Sequence, residues 1–203
     1  MNRIFSQESF LWRALNVLTD IFALSALWLL CSAPIITIGA STAALYDCVV
    51  HGIRRKEEGI YKRFFRSFKN GLKIGIFSAL LWGAVLGLGF FMLSFLRNEG
   101  AVAAAAAYYV VLLIPIGCVC WIFPIFSRFS MSLKELNIAA VKFSVGYIPR
   151  TLVIALLAVE AGGFCIKYIF PVFFMPAVLM LLWSLFIEPV FIKFEGGSEP
   201  DNL

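Results

Sequence analysis

Charged residues are absent from four long stretches of the chain, residues 21–46, 74–96, 101–127 and 168–187, and a fifth, 151–166, is broken only by Glu160. A helix needs about 20 consecutive apolar residues to cross a bilayer, and each stretch reaches or nearly reaches that length. Helices are the fitting element, because every backbone N–H and C=O must be satisfied internally once water is excluded. A membrane β-barrel would need short segments of alternating polar and apolar residues, whereas these blocks are continuously apolar. The pattern predicts an all-α, polytopic transmembrane helical bundle. About five spanning helices fall over residues 15–38, 72–96, 101–127, 150–168 and 169–192, with short amphipathic cytoplasmic helices between them. Residues 1–203 read as a single integral membrane domain.

Composition excludes a soluble protein. The chain is 62% hydrophobic and 14% charged, with 21 Phe, whereas a soluble domain is nearer half apolar and a quarter charged. Cys31, Cys48, Cys118, Cys120 and Cys165 form no CxxC pair, so they read as buried small hydrophobes rather than as a disulfide framework or zinc site. Asp20 directly precedes an apolar run too long for the core of a signal peptide, and the first helix is expected to be retained.

Lysine and arginine set the expected orientation, since they collect in cytoplasmic loops. Eight fall between residues 54 and 73, and Arg128, Lys134, Lys142 and Arg150 lie between the third and fourth spans. With Lys193 that places 13 on the inside, against Arg3, Arg13, Arg97 and Lys167 on the outside. The N-terminus is then outside and the C-terminus cytoplasmic, in a bacterial plasma membrane. Phe5, Phe10, Leu11 and Trp12 fit either interface. A weak internal pattern agrees. Pro124-Ile-Phe-Ser-Arg-Phe129 is matched by Pro189-Val-Phe-Ile-Lys-Phe194, Trp28 precedes Pro34 as Trp183 precedes Pro189, and Phe68-x-x-Gly71 is matched by Phe143-x-x-Gly146. Duplication of a transporter-like unit and a shared preference of these residues for interfaces both account for it.

Several features carry candidate function. Gly71, Gly75, Ala79, Gly83 and Gly87 recur every four residues, making a helix face with almost no side chain, suited to close packing within the bundle or to a homodimer seam. Ile60, Phe64 and Phe68 alternate with Lys62, Arg63, Arg66 and Lys69, as in a helix with its aromatics in acyl chains and its cations at anionic headgroups or a partner. Ser132-Leu-Lys-Glu135 is a capping box that starts another helix, stopped by Gly146 and Pro149. Pro34, Thr37 and Gly39 break the first helix, either as a plain exit into a loop or as irregular backbone buried at membrane depth. Glu160 is the costliest residue, expected to face the bundle, a cavity or a partner, or to be protonated. Asp20, nearer a helix end, is more easily hydrated, and Glu188 is close enough to an interface to snorkel. Asp47 and His51 form a local polar pair. No nucleophile–base pair, phosphate loop or dinucleotide fingerprint occurs in a suitable context, so no enzyme, cofactor, metal or nucleic acid is expected.

The stretch Trp28-Leu-Leu-Cys-Ser-Ala-Pro-Ile-Ile-Thr-Ile-Gly-Ala-Ser-Thr-Ala-Ala-Leu-Tyr46, with Glu57-Glu-Gly59, Phe65-x-x-Phe-Lys69 and Ile148-Pro-Arg-Thr-Leu152, resembles the YesL-like family of bacterial membrane proteins of unknown function. The resemblance implies a companion of carbohydrate uptake systems, especially binding-protein-dependent ABC importers, and brings no catalytic residues. Residues 135–140 with Gly146 and Pro149 are faintly similar to the coupling loop of ABC permeases, but the Gly-to-Pro interval is too short for one. Two functions follow as expectations. One is a non-enzymatic accessory or regulatory partner of a carbohydrate ABC importer's membrane subunits. The other is a small secondary transporter or channel, a homo-oligomer with Glu160 as its proton or cation site. Glu160→Gln separates them, abolishing flux in the second and leaving the complex intact in the first.

Overall fold

The computed structural model describes residues 4–55, 57, 59–129, 131–168 and 170–196, with side chains described between Leu15 and Phe194. Arg3, Lys56 and the side chains of Phe5, Phe10, Leu11, Trp12 and Arg13 lie outside the described residues. Among the described residues seven α-helices carry the fold: α1 (Ile4–Ser32), α2 (Ile38–Cys48), α3 (Ile60–Asn98), α4 (Val102–Arg128), α5 (Leu133–Gly146), α6 (Ile148–Lys167) and α7 (Met175–Gly196). Turns of 3-10 helix at Ile35–Thr37 and Phe170–Phe173 precede α2 and α7, and a π-helical turn, Val49–Arg54, extends α2. Leu30, Leu88, Phe91, Val110 and Ile166 are among many large apolar side chains left on the outside, as a lipid-solvated bundle requires. The chain is a multi-pass membrane protein.

Among the described residues six stretches are long and apolar enough to span, one more than the sequence pattern counted; the addition is Ile35–Arg54. Pro34 is the cause. It supplies no N–H and disfavours helix at the residue before it, so the uncharged run 21–46 becomes two helices. Thr37 Oγ1 lies 2.6 Å from Cys31 O and 2.7 Å from Pro34 O, closing the break. Trp28 Nε1 donates to Thr42 Oγ1 at 3.1 Å, and the Ser32 and Ser41 hydroxyls meet at 2.5 Å. The break is therefore not an exit into a loop, as the plainer reading had it. It returns the chain into a helix whose residues 39–48 are all buried.

Helix α2 runs antiparallel to the first half of α3, with Gly39 against Gly75 and Ala79 and Gly52 against Ile60. A Cβ on Gly75 would lie 2.6 Å from Ala40 N, so only glycine admits α2 at this separation. Gly71 is closed by Phe126 of α4, where a Cβ would meet the ring at 2.9 Å. Gly83 and Gly87 are exposed and have open space before them. The small-residue stripe thus splits, its first three members seating α2 and α4 and its last two facing outward.

Phe64 is fully buried, and Ile60 and Phe68 pack against the same core. This corrects the expectation that these residues face acyl chains: α3 starts inside the protein, with its aromatic stripe turned to neighbouring helices. At 39 residues α3 is ~58 Å long, so the basic segment and the span are one rod. The second unit of the suspected repeat differs, because Pro149 at the start of α6 cannot continue α5. Its capping box forms as expected, with Ser132 N donating to Glu135 Oε2 at 2.9 Å and Glu135 N to Ser132 Oγ at 3.5 Å. The core centres on Trp121, stacked on Phe143 and edge-on to Phe191, with its indole N–H donated to Thr151 Oγ1 at 2.8 Å.

Candidate functional site

A charged basin of about 770 Å3 opens where α2, the start of α3, the end of α4 and α7 converge. The end of α2 and its π-helical turn contribute Tyr46, Asp47, Val50 and His51, with Arg55 just beyond. A π turn adds a residue to the helical ring, as in Arg55 N to Val50 O at 3.1 Å, and such turns recur at functional sites. Helix α3 supplies Arg63, Arg66, Ser67 and Asn70 along one side, α4 supplies Arg128, and α7 supplies Glu188.

Two buried carboxylates organise the wall. Glu188 is 5% exposed and accepts from Arg128 Nη1 at 2.6 Å and from the Tyr46 hydroxyl at 3.4 Å, with Arg55 at 3.8 Å. Asp47 lies 2.9 Å from His51 Nδ1 and 3.3 Å from Arg63 Nη1, and Arg63 also reaches Glu57. Arg54 donates to Ser184 O at 2.7 Å, one turn before Pro189, where the missing proline N–H loosens α7. Desolvating these charges is costly, and it is offset because each carboxylate has an arginine and a second donor.

The expectation that Glu188 snorkels to an interface is corrected: it is buried and points inward to Arg128 and the Tyr46 hydroxyl, which satisfy its carboxylate inside the protein. The Asp47–His51 pair forms and gains Arg63. Of the basic quartet, Arg63 and Arg66 line the basin, whereas Lys62 and Lys69 are exposed outside its wall. Arg128, Arg55, Tyr46 and Glu188 are the basin residues that the sequence did not bring together. The available signal was Glu188 itself, the one acid closing an otherwise uncharged run, on the same expected side as the arginines.

Glu160 is elsewhere. It is exposed on the outer face of α6, beside the exposed Gly162 and Gly163, and makes no hydrogen bond or ion pair among the described residues. Of the alternatives open to it, facing the bundle interior is excluded, because Thr151, Ile154, Ala155 and Ala161 form the buried side of α6. Asp20 is half-buried and accepts from the Tyr61 hydroxyl at 3.2 Å.

The helix break, α2, and the part of α3 that walls the basin lie in one recognisable segment. Residues 21–95 match the family described as protein of unknown function, DUF624. The stretch that resembles YesL-like proteins falls inside this DUF624 segment, as does every basin residue from Tyr46 to Ile74, whereas Arg128 and Glu188 lie outside it. No curated protein and no solved structure matches the chain.

Proposed function

We propose that the chain is a non-enzymatic accessory subunit that docks sideways, within the bilayer, onto another membrane protein, and that a carbohydrate ABC importer supplies that partner. The carrying observation is the exposure of Glu160. It lies seven residues before Lys167, ~10 Å from the end of α6, and a charged side chain at the centre of a span costs roughly 2.5–3.5 kcal/mol on insertion scales. Nothing among the described residues offsets that cost; protonation would lower it, and a neighbouring helix is the reading that also uses the glycines beside it. Gly162 and Gly163 beside it leave the backbone open to close approach by another helix. The importer itself is taken from the YesL-like resemblance, and the cytoplasmic placement of the basic segment from its lysines and arginines; because α2 adds a crossing between α1 and that segment, the N-terminus falls on the cytoplasmic side and not, as the five-span pattern had it, outside.

The same exposure would serve a homo-oligomeric transporter with Glu160 between copies, and one experiment separates the two. The chain is purified in mild detergent from its native host grown on several sugars, as wild type, Glu160→Gln and Glu160→Leu. Stoichiometric importer subunits with wild type and Glu160→Gln, which keeps the hydrogen-bonding shape, and their loss with Glu160→Leu, support the accessory role. Recovery of the chain alone as an oligomer, with Glu160-dependent flux in liposomes, supports the transporter.

A further inference from the structure

We propose that the basin between α2, α3 and α4 binds a phosphate monoester group. The argument starts with its charge. Four guanidiniums, of Arg55, Arg63, Arg66 and Arg128, line it against the carboxylates of Asp47 and Glu188, and with Glu57, which also pairs with Arg63, these groups leave a surplus of one positive charge. Asp47 and Glu188 are already committed to partners inside the wall. The surplus therefore rests on the two arginines that the wall uses least. Arg55 is 46% exposed and stands 3.8 Å from Glu188, at the limit of an ion pair. Arg66 is exposed and makes no ion pair among the described residues.

A structural role does not account for this arrangement. An arginine needed only for topology can sit anywhere at the headgroups, as Lys62 and Lys69 do, yet Arg66 lines a concavity shared with Ser67 and Asn70 of the same helix. These add a hydroxyl and an amide to the guanidinium donors. Planar guanidiniums match phosphate oxygens two at a time. A carboxylate brings one charge and two oxygens, while a phosphate monoester brings close to two charges and three oxygens, enough for Arg55, Arg66 and the polar pair of Ser67 and Asn70 to engage it together. At about 770 Å3 the basin has room for the group and for the portion of the molecule that carries it.

Phosphate monoesters reach such a basin from solution or from a lipid headgroup, and the test has an arm for each. The full chain is placed in phosphatidylcholine nanodiscs, and its thermal unfolding is followed with inorganic phosphate against potassium chloride of equal ionic strength. It is then placed in nanodiscs containing phosphatidic acid. Stabilisation by phosphate over chloride identifies a soluble ligand, and stabilisation by phosphatidic acid alone identifies a lipid. In either arm Arg66→Gln is expected to weaken binding at least about tenfold, the loss of one charge-assisted pair, whereas Lys62→Gln on the same helix leaves it within about twofold. Ser67→Ala with Asn70→Ala weakens it without changing charge. The proposal is overturned if neither phosphate source stabilises the protein, or if Lys62→Gln costs as much as Arg66→Gln. The second outcome would mean that only diffuse positive charge was acting.

Discussion

Arg128→Leu removes the 2.6 Å partner of a carboxylate that is 5% exposed. Breaking a buried pair from one side typically costs about 3–5 kcal/mol, because the remaining charge stays desolvated. Glu188 would keep the Tyr46 hydroxyl at 3.4 Å and Arg55 at 3.8 Å, and the open basin admits water, so the lower end, about 3 kcal/mol, applies. Glu188→Leu removes the same pair from the other side, and Arg128, the more exposed partner and one that also lies over the Phe191 ring, loses less. The double variant replaces both charges with apolar groups, a change that is often neutral. For a chain of this size about 2–4 °C accompanies each kcal/mol. Thermal unfolding in nanodiscs, followed by tryptophan fluorescence, should show Arg128→Leu falling about 6–12 °C and the double variant recovering most of it. Strictly additive losses, or an unchanged Arg128→Leu, would refute the reasoning that this pair organises the wall.

Gly75→Ala puts a Cβ 2.6 Å from Ala40 N and should cost about 1–3 kcal/mol or abolish the folded monodisperse fraction. Gly83→Ala, with nothing within 4 Å, should leave the size-exclusion profile unchanged. Thr151→Val strands the buried indole N–H of Trp121, now donated at 2.8 Å; a loss of about 1–3 kcal/mol and a shifted tryptophan emission are expected. Backbone and hydroxyl donation from Ser132 holds the Glu135 carboxyl below its ordinary value. A depressed carboxylate stabilises above its unfolded pKa, ~4.3, and loses that contribution as pH falls through the folded value. Protection of the first α5 amides, corrected for intrinsic exchange, should therefore fall as the pH drops below about 4; Glu135→Gln should remove this pH dependence, whereas Ser132→Ala, which keeps the backbone donor, should only reduce it.

Much of the fold was legible because lipid leaves the chain few choices. Apolar runs without charge become helices, and Ser132 with Glu135 started α5 where the spacing placed it. Pro34 was visible as a break, but its consequence was not. A helix that exits to water and one that folds back look alike until the glycines of α3 are seen to receive Gly39 and Ala40. The stripe at Gly71, Gly75 and Ala79 announced close approach without naming the partner, and it could not distinguish Gly83, which faces outward. The basin was the least legible part. Tyr46, Arg128 and Glu188 come from three helices and Arg55 from the turn after α2, up to 142 residues apart, and periodicity carries no information about pairs so remote. Glu160 stood out in the sequence as the acid inside a span, but which side of α6 it occupies depends on which neighbours bury Ile154 and Ala161.

The accessory role stands or falls on what covers the outer face of α6. A photo-crosslinking residue at position 163, beside Glu160 and with open space before it, can be activated in living cells of the native host and the adduct sequenced. The account predicts a crosslink to the membrane subunit of a carbohydrate importer, lost when Glu160 is also changed to Leu. A crosslink to a second copy of this chain, or to lipid alone, would contradict it.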